Sequence, residues 1–236
     1  MPWRRDAPVP RGWYLQERIA GVPGSVVFAA DGDRAMVFGL SRQLVGEREF
    51  GASGFRYSGS LLVPPGDSVL GPWELVLGRA TALAAAATRR FGLMGVNGID
   101  FIARGGVPWP IEVNPRYSAS MELVERGLGV SVFGLHTAAC EGRLSETEWP
   151  ANGHRGDSVG KAVLYAPAGL VVGDTRRWLE DESVADIPHP GERIARGSPI
   201  CTVFARGRTT SACHAALRRR AAQLYREVLK PGRKAA

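Results

Sequence analysis

Two short runs rich in β-branched and aromatic residues, separated by a turn-rich segment, constrain the fold of this chain most. The first run covers residues 98–103 and the second covers residues 109–113. The segment between them, 104–108, carries two glycines and a proline. Apolar runs of this length on either side of such turn residues are typical of a β-hairpin. The sequence therefore predicts two antiparallel strands that face each other near the middle of the chain.

Further strands and helices are predicted on both sides of this hairpin. Apolar spacing and turn residues predict strands at 14–19, 25–30, 35–39, 161–166 and 200–205, and helices at 73–91, 121–126, 132–141 and 211–229. Strands precede, flank and follow the helices without a regular alternation of the two. We therefore predict an α+β fold rather than a doubly wound parallel sheet.

The charge of the chain is positive, and its distribution bears on possible partners. The formal net charge is +7, and the lysines are confined to Lys161, Lys230 and Lys234, so arginine supplies nearly all of the positive charge. The densest basic run is 218–220, inside a predicted helix, and no basic stripe alternates with aromatic residues. A solvated helix face explains this pattern better than a nucleic-acid interface does. We predict no nucleic-acid partner.

Cysteine spacing and hydropathy narrow the cellular context. The three cysteines Cys140, Cys201 and Cys213 are far apart and odd in number, which argues against a disulfide framework and against a zinc site with CxxC spacing. No stretch reaches the 18 or so apolar residues of a membrane span, and the first residues lack the apolar core of a signal peptide. We therefore expect a cytoplasmic protein without a membrane partner.

Three potential metal ligands lie on the predicted hairpin. Asp100 is in its first strand, and Glu112 and Asn114 are in its second. Residues two apart on a strand point to the same face, and the hairpin can bring Asp100 opposite the other two. Carboxylate and amide oxygens are hard ligands of the kind that Mg²⁺ binds together with nucleotide phosphates. The alternative from residue types and spacing alone is ordinary surface charge.

Other catalytic patterns are missing from the sequence. The four histidines show no HxxxH or HExxH spacing, which argues against a zinc enzyme. There is also no Gly-x-Ser-x-Gly segment of the kind that carries the nucleophile of many hydrolases. The acidic hairpin therefore remains the best candidate for chemistry.

The hairpin and the residues after it resemble a known family. Residues 98–100, followed by 111–116 and 118–123, are similar to the metal-binding segment of the ATP-grasp superfamily, particularly its carbamoyl phosphate synthetase and biotin carboxylase branches. The resemblance implies the ATP-grasp fold, an antiparallel sheet with flanking helices, and ATP and Mg²⁺ as cofactors. It covers about residues 13–142.

Roles for four residues follow from this resemblance. It implies that Asp100 and Asn114 each hold one Mg²⁺ and that Glu112 bridges two. It also implies that Arg116 faces the transferred phosphoryl group, or the acyl phosphate, as the catalytic cation.

A second part of the resemblance concerns the nucleotide base. Residues 15–21 are similar to the hinge strand of the family, which implies that Gln16, Glu17 and Ile19 bind adenine. An ordinary polar edge strand is the alternative interpretation of this segment.

Weaker similarities concern the substrate end and the C-terminal part. Residues 57–61 resemble a loop that approaches the substrate in the synthetase branch, and Arg42 and Gln43 either line that pocket or end a strand facing solvent. The region from 185–188 to 202–203 is similar to accessory strands of several carboxylate–amine ligases.

The sequence also departs from the family pattern. ATP-grasp enzymes carry an N-terminal domain, two lysines and a glycine-rich loop before the hinge, whereas no lysine precedes Lys161 here. We therefore expect a fold truncated at the N-terminus: a fragment, a mis-started reading frame or half of a split protein whose partner chain supplies the rest. The expected division is an arm or remnant at 1–12, the catalytic portion at 13–145 and a C-terminal accessory α+β segment at 146–236.

The function implied by the resemblance is an amide-forming ligase. It would use ATP and Mg²⁺ to activate a small-molecule carboxylate as an acyl phosphate, which an amine then attacks, and we expect its role to lie in cofactor biosynthesis. The chain alone is expected to be inactive. The alternative function is a non-catalytic nucleotide-binding or subunit-interaction module derived from such an enzyme.

Overall fold

An eight-stranded sheet connects the early and late parts of the chain. The computed structural model describes residues 8–144 and 156–228. Its strands are β1 (Val22–Asp31), β2 (Ala35–Val45), β3 (Tyr57–Leu62), β4 (Met94–Arg104), β5 (Val107–Asn114), β6 (Ser158–Tyr165), β7 (Leu170–Val171), β8 (Val184–Ala185), β9 (Arg193–Ile194) and β10 (Pro199–Gly207). The order in the large sheet is β5-β4-β1-β2-β3-β6-β10-β8, and β7 pairs with β9 apart from it. The pairings are antiparallel.

Four α-helices of the described residues flank the sheet, which confirms the predicted α+β class. They are α1 (Trp73–Phe91), α2 (Ala119–Leu128), α3 (Val132–Cys140) and α4 (Thr210–Val228), and short 3₁₀ helices cover Arg48–Phe50 and Arg176–Glu180. The prediction for 73–91 has the same bounds as α1, because its alanine-rich pattern ends at Gly92, which adopts the left-handed conformation that stops a helix. None of the helices in the described residues has the length and apolar content needed to cross a bilayer.

The predicted strand at 14–19 is wrong. Residues 13–20 form no strand or helix in the structure, and most of their side chains are exposed. The sheet begins only at Val22, which pairs with Ala103 of β4. A strand needs a partner for its backbone hydrogen bonds, and none of the described strands pairs with this segment. Local composition was therefore a poor guide here.

The side chains on the two faces of β1 pack in different hydrophobic clusters. Val26 and Phe28 pack in the cluster that includes Ala84 of α1. Val27 and Ala29, which alternate with them, pack in the cluster that includes Met121 of α2. Alternation along a strand places neighbouring side chains on opposite faces. Helix α1 therefore covers one face of this half of the sheet, and α2 and α3 cover the other.

The C-terminal strands share a core with the central ones. Leu164 of β6 and Val203 of β10 cluster with Leu217 of α4, and Leu44 and Leu61 of β2 and β3 belong to the same cluster. Strand β3 pairs directly with β6. The boundary expected near residue 145 stays a prediction. Strands from before and after this residue belong to the same sheet.

One glycine makes the β3–β6 junction possible. Gly59 has a φ of +152°, and a Cβ added there would lie 2.1 Å from the carbonyl oxygen of Lys161. No side chain can occupy that space unless the strands separate. The two parts of the sheet therefore depend on a residue without a side chain at position 59.

The hairpin strand β5 forms one edge of the large sheet. Pro108 and Pro110 lie in this strand and have no backbone N–H to offer to another chain. The edge is therefore blunted while its C-terminal residues, including Glu112 and Asn114, remain at the margin of the sheet.

We predict that Gly59→Ala lowers the free energy of unfolding by roughly 2–4 kcal/mol, the sum of a left-handed backbone penalty and overpacking. The matched control is Gly54→Ala, because Gly54 also has a positive φ, +62°, but nothing lies within 4 Å of the added Cβ. The control should cost only about 1–2 kcal/mol. Urea unfolding followed by circular dichroism measures both, and equal losses would show that the β3–β6 contact is not tight.

Candidate functional site

The β4–β5 hairpin places the predicted ligands on one face. Asp100 of β4 is directly opposite Glu112 of β5, and Gly98 is opposite Asn114. Directly opposed residues of an antiparallel pair project to the same side of the sheet. The turn between the strands has Gly105 and Gly106 at positive φ. A one-residue irregularity between this turn and Asp100 shifts the register, and this shift places the two carboxylates opposite each other.

A cavity of about 310 Å³ opens on this face. Its walls come from β2, β3, β4, β5 and the start of α2, and the lining residues are Gln43, Tyr57, Asp100, Glu112, Asn114, Arg116, Ser118, Ala119 and Ser120. The structure thus brings together the four residues for which metal binding or phosphoryl contact was predicted. Their roles as ligands remain a proposal.

Asn114 lies between an acid and a base. Its Nδ2 donates a hydrogen bond to Oε1 of Glu112 at 3.1 Å, and its Oδ1 accepts one from Nη2 of Arg116 at 3.1 Å. Nη1 of Arg116 also donates to the carbonyl oxygen of Tyr117. Because an amide oxygen has two lone pairs, Asn114 can accept from Arg116 and still offer an oxygen to a cation. These contacts fix the direction of the guanidinium.

The carboxylate of Asp100 is electrostatically disfavoured. Burial raises its pKa above the ordinary value, side-chain hydrogen bonds from Gln43 and Ser25 lower it in part, and the charge of Glu112 raises it further. Two carboxylates on adjacent strands repel each other unless a proton or a cation lies between them. The site therefore has the electrostatic character of a cation site.

Few charged ligands are available to a cation at this hairpin. Within residues 8–144 and 156–228, no three His, Cys, Asp or Glu side chains come close enough to hold a metal on their own. The Asn114 oxygen is a further hard ligand next to the two carboxylates. Cations bound with nucleotides take further oxygens from phosphates and water, so three protein oxygens suffice.

Residues 57–61, expected to be a loop near the substrate, form part of strand β3 instead, and Tyr57 lines the cavity. The contact between Ser41 and Ser120 was not predicted from the sequence. The Ser41 hydroxyl donates to Oγ of Ser120 at 3.1 Å, and the Tyr57 hydroxyl is 2.9 Å from Oγ of Ser60. Burial raises the pKa of Tyr57 to about 12, so its phenol stays neutral at physiological pH. Small polar residues inside otherwise apolar strands were the signal available for the serines.

Strand alternation separates the two residues proposed for the substrate pocket. Gln43 lines the cavity. Nη2 of Arg42 instead lies 3.6 Å from Oε1 of Glu47, whose other oxygen is 2.6 Å from Nε2 of His214 in α4. Of the two, only Gln43 belongs to the described cavity wall.

The residues predicted to bind adenine are not part of this cavity. Gln16 and Glu17 are exposed and Ile19 is half-buried, in the segment that forms no strand. The hinge strand is therefore wrong as secondary structure, whereas contact of these residues with adenine stays a prediction.

Comparison with known proteins now gives the family. Residues 2–120, half of the chain, match the model of the ATP-grasp domain. The chain belongs to the ATP-grasp family. An uncharacterized protein of Methanocaldococcus jannaschii is 25% identical over 116 residues, which is 49% of this chain and 27% of that protein. The predicted family is thereby confirmed.

Solved structures of other ATP-grasp proteins have the same fold. L-amino acid ligase from Bacillus licheniformis superposes with a TM-score of 0.65 at 13% identity, covering 86% of this chain and 50% of that one. N5-carboxyaminoimidazole ribonucleotide synthetase from Thermus thermophilus gives 0.58 at 19% identity, covering 89% and 51%. The biotin carboxylase domain of a single-chain bacterial carboxylase gives 0.62 at 17%, covering 91% and 49%.

These matches cover only part of each related protein. The ATP-grasp chain described here spans about half the length of the three solved structures and about a quarter of the M. jannaschii protein. At these identities the solved structures establish the fold. Activity and substrates therefore rest on the site itself.

We predict that Asp100→Asn makes the cation-free protein more stable at neutral pH while it weakens Mn²⁺ binding. Because the pKa of Asp100 is raised in the folded state, its stabilising contribution exists only while it is protonated and is lost as the pH rises through that pKa. The Asp100→Asn side chain cannot ionise, so this loss of stability does not occur. The melting temperature should rise by about 2–4 °C, which corresponds to a gain of roughly 1 kcal/mol in the free energy of unfolding for a protein of this size.

Asp31→Asn is the opposite control for this prediction. Hydrogen bonds from Arg34, first from its backbone N–H, lower the pKa of Asp31, so its contribution is present at neutral pH and is lost as the pH falls through the lowered pKa. The control variant should melt lower than the unaltered protein and bind Mn²⁺ equally well. Melting in a chelator and Mn²⁺ titration by electron paramagnetic resonance measure both quantities. Tighter Mn²⁺ binding by Asp100→Asn would contradict the assignment.

Proposed function

We propose that this protein is the catalytic-side portion of an ATP- and Mg²⁺-dependent carboxylate–amine ligase that acts through an acyl phosphate. The observation that carries the proposal is the convergence of Asp100, Glu112, Asn114 and Arg116 on one cavity. Membership of the ATP-grasp family supports the use of ATP. A fungal N5-carboxyaminoimidazole synthase of the same fold was solved with ADP, which supports the same nucleotide.

The residues present fit Mg²⁺. Asp100 and Glu112 would supply carboxylate oxygens and Asn114 an amide oxygen, and the raised pKa of Asp100 shows a site that a positive charge would relieve. When bound, the metal neutralises phosphate charge and orients the transferred group. Glu112, in the middle of the three, is the residue that we assign to two metals.

Arg116 has a separate task at the same cavity. Its guanidinium is exposed and is held by Asn114 and by the carbonyl oxygen of Tyr117. A planar, permanently charged fork held in this way can donate two parallel hydrogen bonds to phosphoryl oxygens. We assign to it the stabilisation of negative charge during phosphoryl transfer and in the acyl phosphate.

The cavity also has uncharged lining residues. The phenol of Tyr57 and the amide of Gln43 carry no charge, and Ser120 adds a hydroxyl. Such groups can orient a carboxylate or an amine by hydrogen bonds without competing with it for the metals. The acyl phosphate would therefore form in contact with both charged and uncharged side chains.

The names of the relatives support an amide-forming reaction. They include an L-amino acid ligase and a phosphoribosylglycinamide synthetase, so amine acceptors are the substrate class that we propose for this protein. A cytoplasmic location and a role in cofactor biosynthesis are further parts of the proposal.

A site for a nucleoside triphosphate needs more positively charged side chains than the described residues supply. Lys161 is the only lysine among residues 8–144 and 156–228, and its Nζ is 2.8 Å from Oε2 of Glu122. The strand of Lys161, β6, lies four sheet positions from the strand of Asp100, too far away to clamp phosphates held at the hairpin. We propose that another segment or a partner chain supplies the phosphate-binding lysines and the glycine-rich loop.

In the full-length enzyme we predict that Glu112→Gln costs far more turnover than Arg116→Lys. The amide weakens two metal coordination spheres at once, whereas lysine keeps the positive charge at position 116 and loses only the planar fork. Arg116→Lys should lower kcat by about 10²–10³, as for one positioned donor, and Glu112→Gln by more. The measurement is ADP formation at saturating ATP and Mg²⁺.

The control for these variants is Glu141→Gln. Glu141 pairs with Arg143 on the surface, away from the cavity residues, and its loss should leave kcat unchanged. Near-normal turnover in Glu112→Gln would show that this residue is not a bridging ligand. Nucleotide binding without turnover in the full-length protein would favour the non-catalytic module instead.

For the 236-residue chain on its own we predict little or no Mg²⁺-dependent ATPase activity. The reason is that its one described lysine lies four strands from the strand of Asp100 and cannot close over phosphates held at the hairpin. Phosphate release by the purified, folded chain measures this, with circular dichroism as the control for folding. Sustained turnover that a chelator abolishes would contradict the prediction.

A further inference from the structure

A row of polar side chains crosses the sheet from the acidic hairpin to the C-terminal strands. Register places Asp100 opposite both Glu112 and Ser25, and Ser60 opposite both Gln43 and Lys161. Ser25 also pairs with Ser41, which lies two residues before Gln43 on β2 and so on the same face. The row therefore consists of Glu112, Asp100, Ser25, Gln43, Ser60 and Lys161, all on the face that carries the cavity.

Lys161 ends this row as a buried cation. The residue is 9% exposed, and its Nζ donates to Oε2 of Glu122 at 2.8 Å. An ammonium group has three N–H donors, and among the described residues Glu122 is the one acceptor that it contacts. Buried donors are normally satisfied. Two donors of Lys161 are thus available to another acceptor.

Two cations share one carboxylate next to Lys161. Glu122, the acceptor of Lys161, also accepts from Nε of Arg126 at 3.3 Å. Arg126 is held in place because its guanidinium lies 3.7 Å from the centroid of the Phe204 ring, and Phe204 is opposite Lys161 in the sheet. A cluster of this kind favours an anion next to it.

The position of the cluster relates it to the cavity. Ser60, the register partner of Lys161, is hydrogen-bonded to Tyr57, and Tyr57 lines the cavity. Tyr57 thus lines the cavity and is also hydrogen-bonded to the register partner of Lys161. A substrate held at the hairpin can therefore extend past Tyr57 toward Lys161.

We propose that Lys161 determines substrate specificity by binding a second carboxylate at the end of the acid substrate remote from its reacting carboxyl group. This inference rests on the proposed ligase function. The strands of Asp100 and Lys161 are four sheet positions apart, about 19 Å at about 4.8 Å per strand. The substrate class is thus an elongated dicarboxylic acid rather than a small monocarboxylic acid.

The test compares dicarboxylates, from glutarate to hexadecanedioate, with monocarboxylates of the same chain lengths. The enzyme, together with the segment or partner chain that supplies the phosphate-binding lysines and the glycine-rich loop, is assayed for ADP formation. The assay contains ATP, Mg²⁺ and hydroxylamine as the acceptor amine. The unaltered enzyme should prefer a dicarboxylate. Lys161→Met should lower kcat/KM for that acid roughly 10- to 100-fold, the effect of one hydrogen bond to a charged group, and leave monocarboxylates nearly unchanged. Lys161→Arg should retain much of the preference.

Two controls separate recognition from folding. Arg220→Met removes an ion pair with Asp181 that involves α4 on the other face of the sheet, and it should not change the preference between acids. Binding of the dicarboxylate without nucleotide, measured by saturation-transfer nuclear magnetic resonance, should weaken in Lys161→Met and persist in Arg220→Met.

The outcomes distinguish this inference from the proposed function. Equal loss for both acid classes in Lys161→Met, or no dicarboxylate preference in the unaltered enzyme, would overturn the specificity role while leaving the ligase intact. If no acid stimulates ADP formation but dicarboxylate binding still depends on Lys161, the ligase proposal is wrong and Lys161 remains an anion-binding residue. If binding does not depend on Lys161 either, both are wrong.

Discussion

The repulsion between Asp100 and Glu112 is the constraint on which the rest of the site depends. The β4–β5 register sets these carboxylates directly opposite each other, and the pKa of Asp100 is raised as a result of burial and of this neighbour. The hydrogen bonds that Asp100 receives from Gln43 and Ser25 reduce the cost without removing it. Carboxyl groups with perturbed pKa values occur both at functional sites and in structural networks. Here the pair lines a cavity together with Arg116, Tyr57 and Gln43.

The junction of β3 with β6 gives the C-terminal strands a place in the same site. Pairing of Gly59 with Ala162 continues the sheet, so Lys161 reaches the face on which the acidic hairpin lies. The family match ends at residue 120, and Glu122, Arg126 and Lys161 all lie beyond that point. The residues proposed to select the substrate are thus outside the matched segment, whereas the proposed metal ligands are inside it.

Local patterns were sufficient for some parts of the chain and insufficient for others. Helix α1 and the β4–β5 hairpin were predictable because their apolar periodicity and turn residues are contained in short stretches of sequence. The strand expected at 14–19 was wrong because a strand exists only with a partner, and its composition carried no information about whether one is present. Arg42 and Gln43 looked equivalent in the sequence, and only the alternation of β2 in the folded sheet assigned them to different faces.

The sequence by itself determined the family, the α+β class and the spacing that puts Asp100, Glu112, Asn114 and Arg116 near one another, since all four lie on a single hairpin and the residues just after it. Tertiary structure decided what faces them. Tyr57, Ser120 and the Lys161–Glu122 pair reach this region from β3, α2 and β6, and Lys161 is 39 residues from its partner in the chain. Contacts at that separation depend on sheet order and on which residues share a face, and neither is encoded in any local stretch of sequence.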